Sequence, residues 1–203
     1  RRAIATGASA CEAERRLSAH AYDSHFPLSH DTFNGMGAAS DGKIYYVLSS
    51  ESPEVGGQMF CYDPASDQVR PIGDLTEACG EAGLKAIPQG KSHVNFVESD
   101  GKLYFATHVG YYSIVDGMEK IGIPPAGYQP YPGGHFLAYD LASGKFEDLG
   151  RAPHGEGILT MNMDAKRRRL YGITWPAGHV LRLDLYTREL KNLGTFAKEG
   201  ENG

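Results

Sequence analysis

The sequence predicts an all-β fold made of one four-stranded antiparallel unit written three times, and three observations predict it. A pattern recurs: DGKIYYVLSS then GGQMFCYDPASDQVRPIGDL, DGKLYFATHV then GGHFLAYDLASGKFEDLG, and RRLYGITWPA then GHVLRLDLYTRELKNLG. Its spacing is constant, because Asp63, Asp140 and Asp184 stand ten residues before Gly73, Gly150 and Gly194 (73−63, 150−140, 194−184). The 26 glycines and 12 tyrosines among 203 residues also suit short strands and tight connections.

In chain order, residues 1–32 read as an irregular segment, with a short helix over Cys11 to Ala19 from its helix-forming composition. The first unit, 33–75, has an innermost strand over Asn34 to Ala39 and strands over 43–49 and 58–63. The second, 91–150, has strands over 93–98, 102–108 and 135–140, split by a Tyr-, Pro- and Gly-rich insertion from Gly110 to Gly133. Strands over 158–163, 169–174 and 179–184 make the third, 156–195; the repeats occupy 33–197, and 198–203 is a tail. Helix should be nearly absent. Tyr45, Tyr104 and Tyr171 recur at one position and should pack in the core with Leu103, Phe105, Leu137, Leu170, Ile173 and Leu183.

Repeated four-stranded antiparallel units of this length resemble the blades of a β-propeller. The Asp-containing turn after the third strand resembles that of many bacterial extracellular propellers, which implies a secreted or periplasmic protein, while the WD and GH signatures of WD40 blades are missing. About three blades are present, and three are too few to close a disc. The sequence also opens on Arg1 rather than Met. It therefore reads as part of a larger propeller, or as one whose edges a partner chain covers.

Composition narrows the function classes. A hydrophobic content of 41% is ample for a core, and no stretch approaches the roughly 18 apolar residues of a membrane helix. A net charge of −5 disfavours a nucleic-acid surface. The basic run from Lys166 to Arg169 sits at a hairpin turn and reads as a solvated tip. Cys11, Cys61 and Cys79 lack metal-ribbon or thioredoxin spacing. Cys61 reads as a buried thiol, and Cys11 and Cys79 can pair.

In a meandering blade the loops between the second and third strands, and between blades, share one rim. Seven of the eight histidines fall there: His25, His30, His93, His108, His135, His154 and His179, joined by Glu156 and Trp175. Imidazole serves as acid, base or metal ligand near neutral pH, so this rim is the candidate site, with Tyr111, Tyr112, His135, His154 and Trp175 as substrate-binding residues. Tyr128 and Tyr131 are further phenols of the insertion. Metal-ligand spacing is not evident; a divalent metal held between blades stays open, and no cofactor is called for.

The segment KSHVNFVESDGKLYFATH, with RLYGITWPAGHVLRLDL, resembles the propeller-fold polysaccharide lyases, the ulvan lyases and more distantly the oligogalacturonide lyases. That resemblance implies β-elimination on a uronate-containing polysaccharide or oligosaccharide. It implies His93 and His108 as the histidine pair and Tyr171 and Arg182 as the Tyr and Arg of the following blade. The alternative is a propeller that binds a glycan or protein partner through the same rim without catalysis.

Overall fold

The computed structural model describes residues 19–195; Cys11, most of the expected N-terminal helix and the tail lie outside them. The described residues form three four-stranded antiparallel sheets and one two-stranded hairpin. The first sheet runs β1 (Met36–Ala38), β2 (Ile44–Leu48), β3 (Gln58–Asp63) and β4 (Gln68–Asp74) in spatial order. The second contains β5 (Val97–Ser99), β6 (Lys102–Ala106), β9 (His135–Asp140) and β10 (Lys145–Arg151); the third contains β11 (Gly157–Asp164), β12 (Arg169–Trp175), β13 (His179–Asp184) and β14 (Leu190–Thr195). Each is a meander once the inserted hairpin, β7 (Tyr112–Val115) and β8 (Met118–Ile121), is set aside. Among the described residues helix is confined to α1 (Leu75–Ala78), capped by the Asp74 carboxylate on the Thr76 and Glu77 amides, and to a 3-10 turn at Pro153–Gly155.

The repeat holds at the level of register. Tyr45 faces Cys61, Tyr104 faces Ala138 and Tyr171 faces Arg182, and each partner lies two residues before the recurring aspartate. That aspartate stops the third strand by accepting backbone N–H bonds in the turn: Asp63 from Ala65, Asp140 from Ser143, Asp184 from Tyr186 and Thr187.

The sheets pack face to face through the glycine ending each fourth strand. A Cβ on Gly73 would lie 2.9 Å from the Phe146 ring, and one on Gly150 would lie 3.6 Å from Leu190. Phe146 and Leu190 are each six residues past the recurring aspartate (146−140, 190−184), so each sheet seats the same side chain in its predecessor. The stack also buries Tyr45 against Tyr139, with ring centroids 5.6 Å apart, and Phe96 on Phe105 at 4.6 Å.

Three expectations need correcting. The innermost strand of the second unit is Val97–Ser99 rather than 93–98, because its earlier residues bulge from the ladder. Tyr171 and Ile173 are half-buried, unlike the buried Tyr45 and Tyr104, because the described residues place no sheet on that face of the third. The basic run is also more than a solvated tip: Arg167 pairs with Asp164, Arg168 with Asp100 of the second sheet, and Arg169 with Asp184.

Truncating a buried inter-sheet aromatic removes its transfer free energy and leaves a cavity. Tyr104→Ala is expected to cost about 3–5 kcal/mol, read from the urea midpoint at unchanged m-value.

Candidate functional site

The site begins where the second sheet departs from ideal pairing. Lys91 and His108 form an antiparallel bridge, each amide donating to the other's carbonyl at 3.0 and 2.8 Å. From there to the Val97–Tyr104 pair one side takes six steps (97−91) and the other four (108−104), so two residues are in excess. They are accommodated as a bulge anchored to the first sheet, where the Phe96 amide donates to the Met36 carbonyl. His93 rides on this bulge.

The bulge brings His93 to His108, with ring centroids 4.6 Å apart and planes tilted by 50°. Phe33 stacks on the other face of His93 at 4.3 Å. Trp175 stands 5.8 Å from His108, and Tyr112, at the start of β7, stands 6.4 Å from it and edge-on to Trp175. Lys91 is almost wholly buried, its ammonium 4.6 Å from the Phe33 centroid, 4.9 Å from that of Tyr112 and 3.2 Å from Glu51 Oε1.

Both imidazoles are neutral at ordinary pH. Burial, helped by the Lys91 charge, brings His93 from 6.5 to about 4. Burial and the neighbouring His93 bring His108 to about 3. His108 Nδ1 lies 3.1 Å from the Val109 carbonyl, which fixes the proton there and leaves Nε2 with the lone pair. His93 Nε2 is buried without a hydrogen-bond partner among the described residues. The Tyr112 phenol donates to the same Val109 carbonyl at 2.9 Å, and burial raises its pKa.

A carboxylate group flanks the pair. His30 Nδ1 lies 2.7 Å from Asp31 and its Nε2 3.7 Å from Glu51, so His30, Asp31 and Glu51 offer ligand atoms within 4.8 Å of one another. Partial burial opposes the Asp31 charge, but the His30 hydrogen bond and the Lys91 charge outweigh it and lower its pKa. A divalent ion held there would compete with the Lys91 ammonium already on Glu51.

His135 is a clamp. It is buried, with Nε2 3.0 Å from Glu81 and Nδ1 2.9 Å from Asp148, so both ring nitrogens donate and the ring is an imidazolium. Desolvation works against that charge, but the two carboxylates outweigh it and raise the pKa. Gln89 ties Glu81 to the Gly133 carbonyl and accepts from the Thr107 and Tyr131 hydroxyls. His154 and His179 stack as a separate pair at 4.9 Å, and Tyr111 packs over Gly122. Tyr171 and Arg182 are cross-strand partners on the outer face of the third sheet, four residues along β12 from Trp175, or about 13 Å at a strand's rise per residue.

The structure therefore gathers His93, His108, Tyr112 and Trp175, with Tyr111 packed against the same buried Ile87, Val109 and Tyr131 as Tyr112 and Trp175, while Tyr171 and Arg182 lie along the third sheet, His135 is held by Glu81 and Asp148, and His154 pairs with His179. Sequence reasoning missed Lys91 and Phe33. Lys91 directly precedes Ser92 and His93, but a lone lysine carries no signal, and Phe33 opens the first unit just ahead of its innermost strand.

No protein-family model matches the chain, and no curated protein does. Solved structures do. A structural-genomics protein of unknown function from Bacteroides thetaiotaomicron aligns over 85% of this chain and 34% of its own, at 12% identity and a TM-score of 0.51. The extracellular domain of a one-component system from the same organism aligns over 79% of this chain and 16% of its own, at 15% identity and TM-score 0.47. A GH43 protein of Bacillus licheniformis aligns over 87% and 33%, at 11% identity and TM-score 0.47. The chain spans about a third or less of the length of these structures, and likeness at such identity bears on fold alone.

Opposite pKa shifts predict a stability maximum in pH. The unfolded chain protonates His93 and His108 as pH falls through 6.5, whereas the folded chain resists until about 4 and about 3. Stability then falls through that window by up to about 1.4 kcal/mol per pH unit for each. His135, with its pKa raised, adds stability that is complete below 6.5 and is lost as pH rises through its folded value. Thermal melts across pH should show both limbs, with His93→Gln flattening the acid limb and His135→Gln removing the alkaline one.

Proposed function

We propose that the chain is three blades of a secreted or periplasmic β-propeller, over the unit boundaries read from the sequence, and that its histidine-bearing rim binds an acidic polysaccharide or oligosaccharide. One observation carries the reading: two neutral imidazoles, one with an unpartnered buried nitrogen, stand among the aromatic faces of Phe33, Tyr112 and Trp175 beside the Lys91 cation. Apolar ring faces suit the C–H faces of sugars, imidazole nitrogens suit hydroxyls, and a buried ammonium suits a uronate carboxylate.

The sharper form of the proposal is β-elimination. A base takes the C5 proton of a uronate, the C4–O4 bond breaks, its electron pair leaves with O4, and the C5 pair forms the C4–C5 double bond. His93, with its free nitrogen, is the base in this scheme. Lys91, shared with Glu51, is the cation beside the pair in place of Arg182, and Tyr112, whose hydroxyl donates to the Val109 carbonyl, is the phenol beside it. Two observations favour binding without catalysis. Imidazoles with pKa values near 3 and 4 are weak bases at neutral pH, and Tyr171 and Arg182 lie about 13 Å along β12 from Trp175.

Trp175 is the sole tryptophan in the chain, so its fluorescence reports on the site. Titration with polyuronates such as ulvan, alginate and polygalacturonate is expected to change that emission. His93→Ala should weaken binding at least about tenfold, the loss usual for a central contact. Absence of any response to a broad polyuronate panel overturns the reading. Elimination would appear as ultraviolet absorbance of the unsaturated product, lost by a factor of about 10² or more in His93→Ala. Binding without that absorbance selects the non-catalytic form.

A further inference from the structure

Beside the histidine pair, His30, Asp31 and Glu51 each offer a ligand atom within 4.8 Å of the other two. Two segments bring these residues together and hold each other in place. The His30 amide donates to the Ser49 carbonyl at 2.9 Å, the Ser49 amide to the Asp31 carbonyl at 2.7 Å, and the Thr32 hydroxyl to the Val47 carbonyl at 2.9 Å. Glu51 follows two residues after Ser49, so the donors of both segments stand on one bonded frame.

The side chains are disposed as ligands of a single ion are. An ionised carboxylate only accepts hydrogen bonds, so His30 Nδ1, 2.7 Å from Asp31 Oδ2, is the donor, and the neutral ring keeps its lone pair on Nε2. A histidine whose other nitrogen donates to a carboxylate is the usual metal-ligating form. That Nε2 faces Glu51 Oε2 across 3.7 Å, too far for a hydrogen bond. Two ligands of one tetrahedral ion, on bonds of about 2.1 Å, lie about 3.4 Å apart, so these two acceptors are spaced for a cation between them.

An independent observation comes from the buried side. Ser49 is 1% exposed and its hydroxyl bears on the Asp31 carboxylate, yet neither Ser49 Oγ nor Asp31 Oδ1 has a hydrogen-bond partner of sound geometry among the described residues. Buried polar atoms are seldom left so, and here they border the three donors. Lys91 does not exhaust Glu51, because the ammonium sits 3.2 Å from Oε1 and leaves Oε2 turned to His30.

We propose that His30, Asp31 and Glu51 bind a divalent transition-metal ion, through His30 Nε2 and one oxygen of each carboxylate. The imidazole sets the class, since calcium and magnesium take shells of oxygen whereas zinc accepts nitrogen with oxygen. Three protein donors leave a coordination position open, and His30 and Glu51, 55% and 46% exposed, put it within reach of solvent. On the polyuronate reading, which this extends, the open position takes a uronate carboxylate beside Lys91.

Isothermal titration of the metal-stripped chain with zinc chloride, without glycan, tests the site. The expected result is one saturable equivalent that calcium at the same concentration does not displace. His30→Ala and Glu51→Gln, both at exposed positions, should each weaken it at least about tenfold. His179→Ala, which breaks the stacked His154–His179 pair, should leave it unchanged. No saturable zinc binding, binding undiminished in both His30→Ala and Glu51→Gln, or calcium bound as tightly as zinc overturns the inference. Trp175 titrations with polyuronate on the same samples separate the two readings: a chain that binds zinc but no polyuronate sinks only the glycan site, and one that binds polyuronate but no zinc sinks only the metal site.

Discussion

Everything in this fold depends on one steric agreement between neighbouring sheets. Phe146 lies over Gly73 at a distance where a Cβ would collide with its ring, and Leu190 fills the same place over Gly150. A flat apolar face would let two sheets slide against each other. A side chain seated over a glycine fixes both separation and stagger, at the close packing of protein interiors. Because in every unit the glycine lies ten residues, and the filler six, past that unit's own aspartate, the turn that ends the third strand sets one half of each contact in each sheet.

The rim exploits what that agreement leaves free. At the ends away from the Asp-containing turns the second unit carries two residues too many. The excess is spent on His93, brought against an imidazole that the sheet itself positions. Burial then does to both rings what a base would not want and a recognition site tolerates: it lowers their affinity for a proton. His135 shows the contrary solution one strand away, where two carboxylates overcome the same desolvation and make the ring a cation that ties the linker after α1 to the second sheet.

Much of the fold was legible because it is periodic. The Tyr and Asp positions recovered the strands and their cross-strand register, and the grouping of histidines on one rim followed from strand direction alone. The bulge was not legible, since an excess of two residues preserves the alternation of side chains and leaves the pattern looking unbroken. Lys91 and Phe33 were invisible for another reason: each acts through the face of a ring supplied from elsewhere in the chain. Tyr171 and Arg182 were placed on the site by resemblance. Their register shows that they occupy a position whose role in the other units is packing. Inside the Tyr-, Pro- and Gly-rich insertion, Asp116-Gly117, both at positive φ and flanked by YSIV and MEKI, is the signature of a two-residue hairpin that its composition alone does not reveal.

That hairpin settles how the rim can change. Its strands bond to each other, and the Gly122 amide closes on the Tyr111 carbonyl, so its ends lie side by side and it draws none of its ladder from the three sheets. Residues 111–122 are thus a cassette: they could be exchanged for a hairpin of another sequence or length without altering the ladder of any of the three sheets. The histidine pair belongs to the scaffold and would stay where it is. The wall that Tyr112 provides would be replaced, and with it the shape of whatever the pair is able to grip.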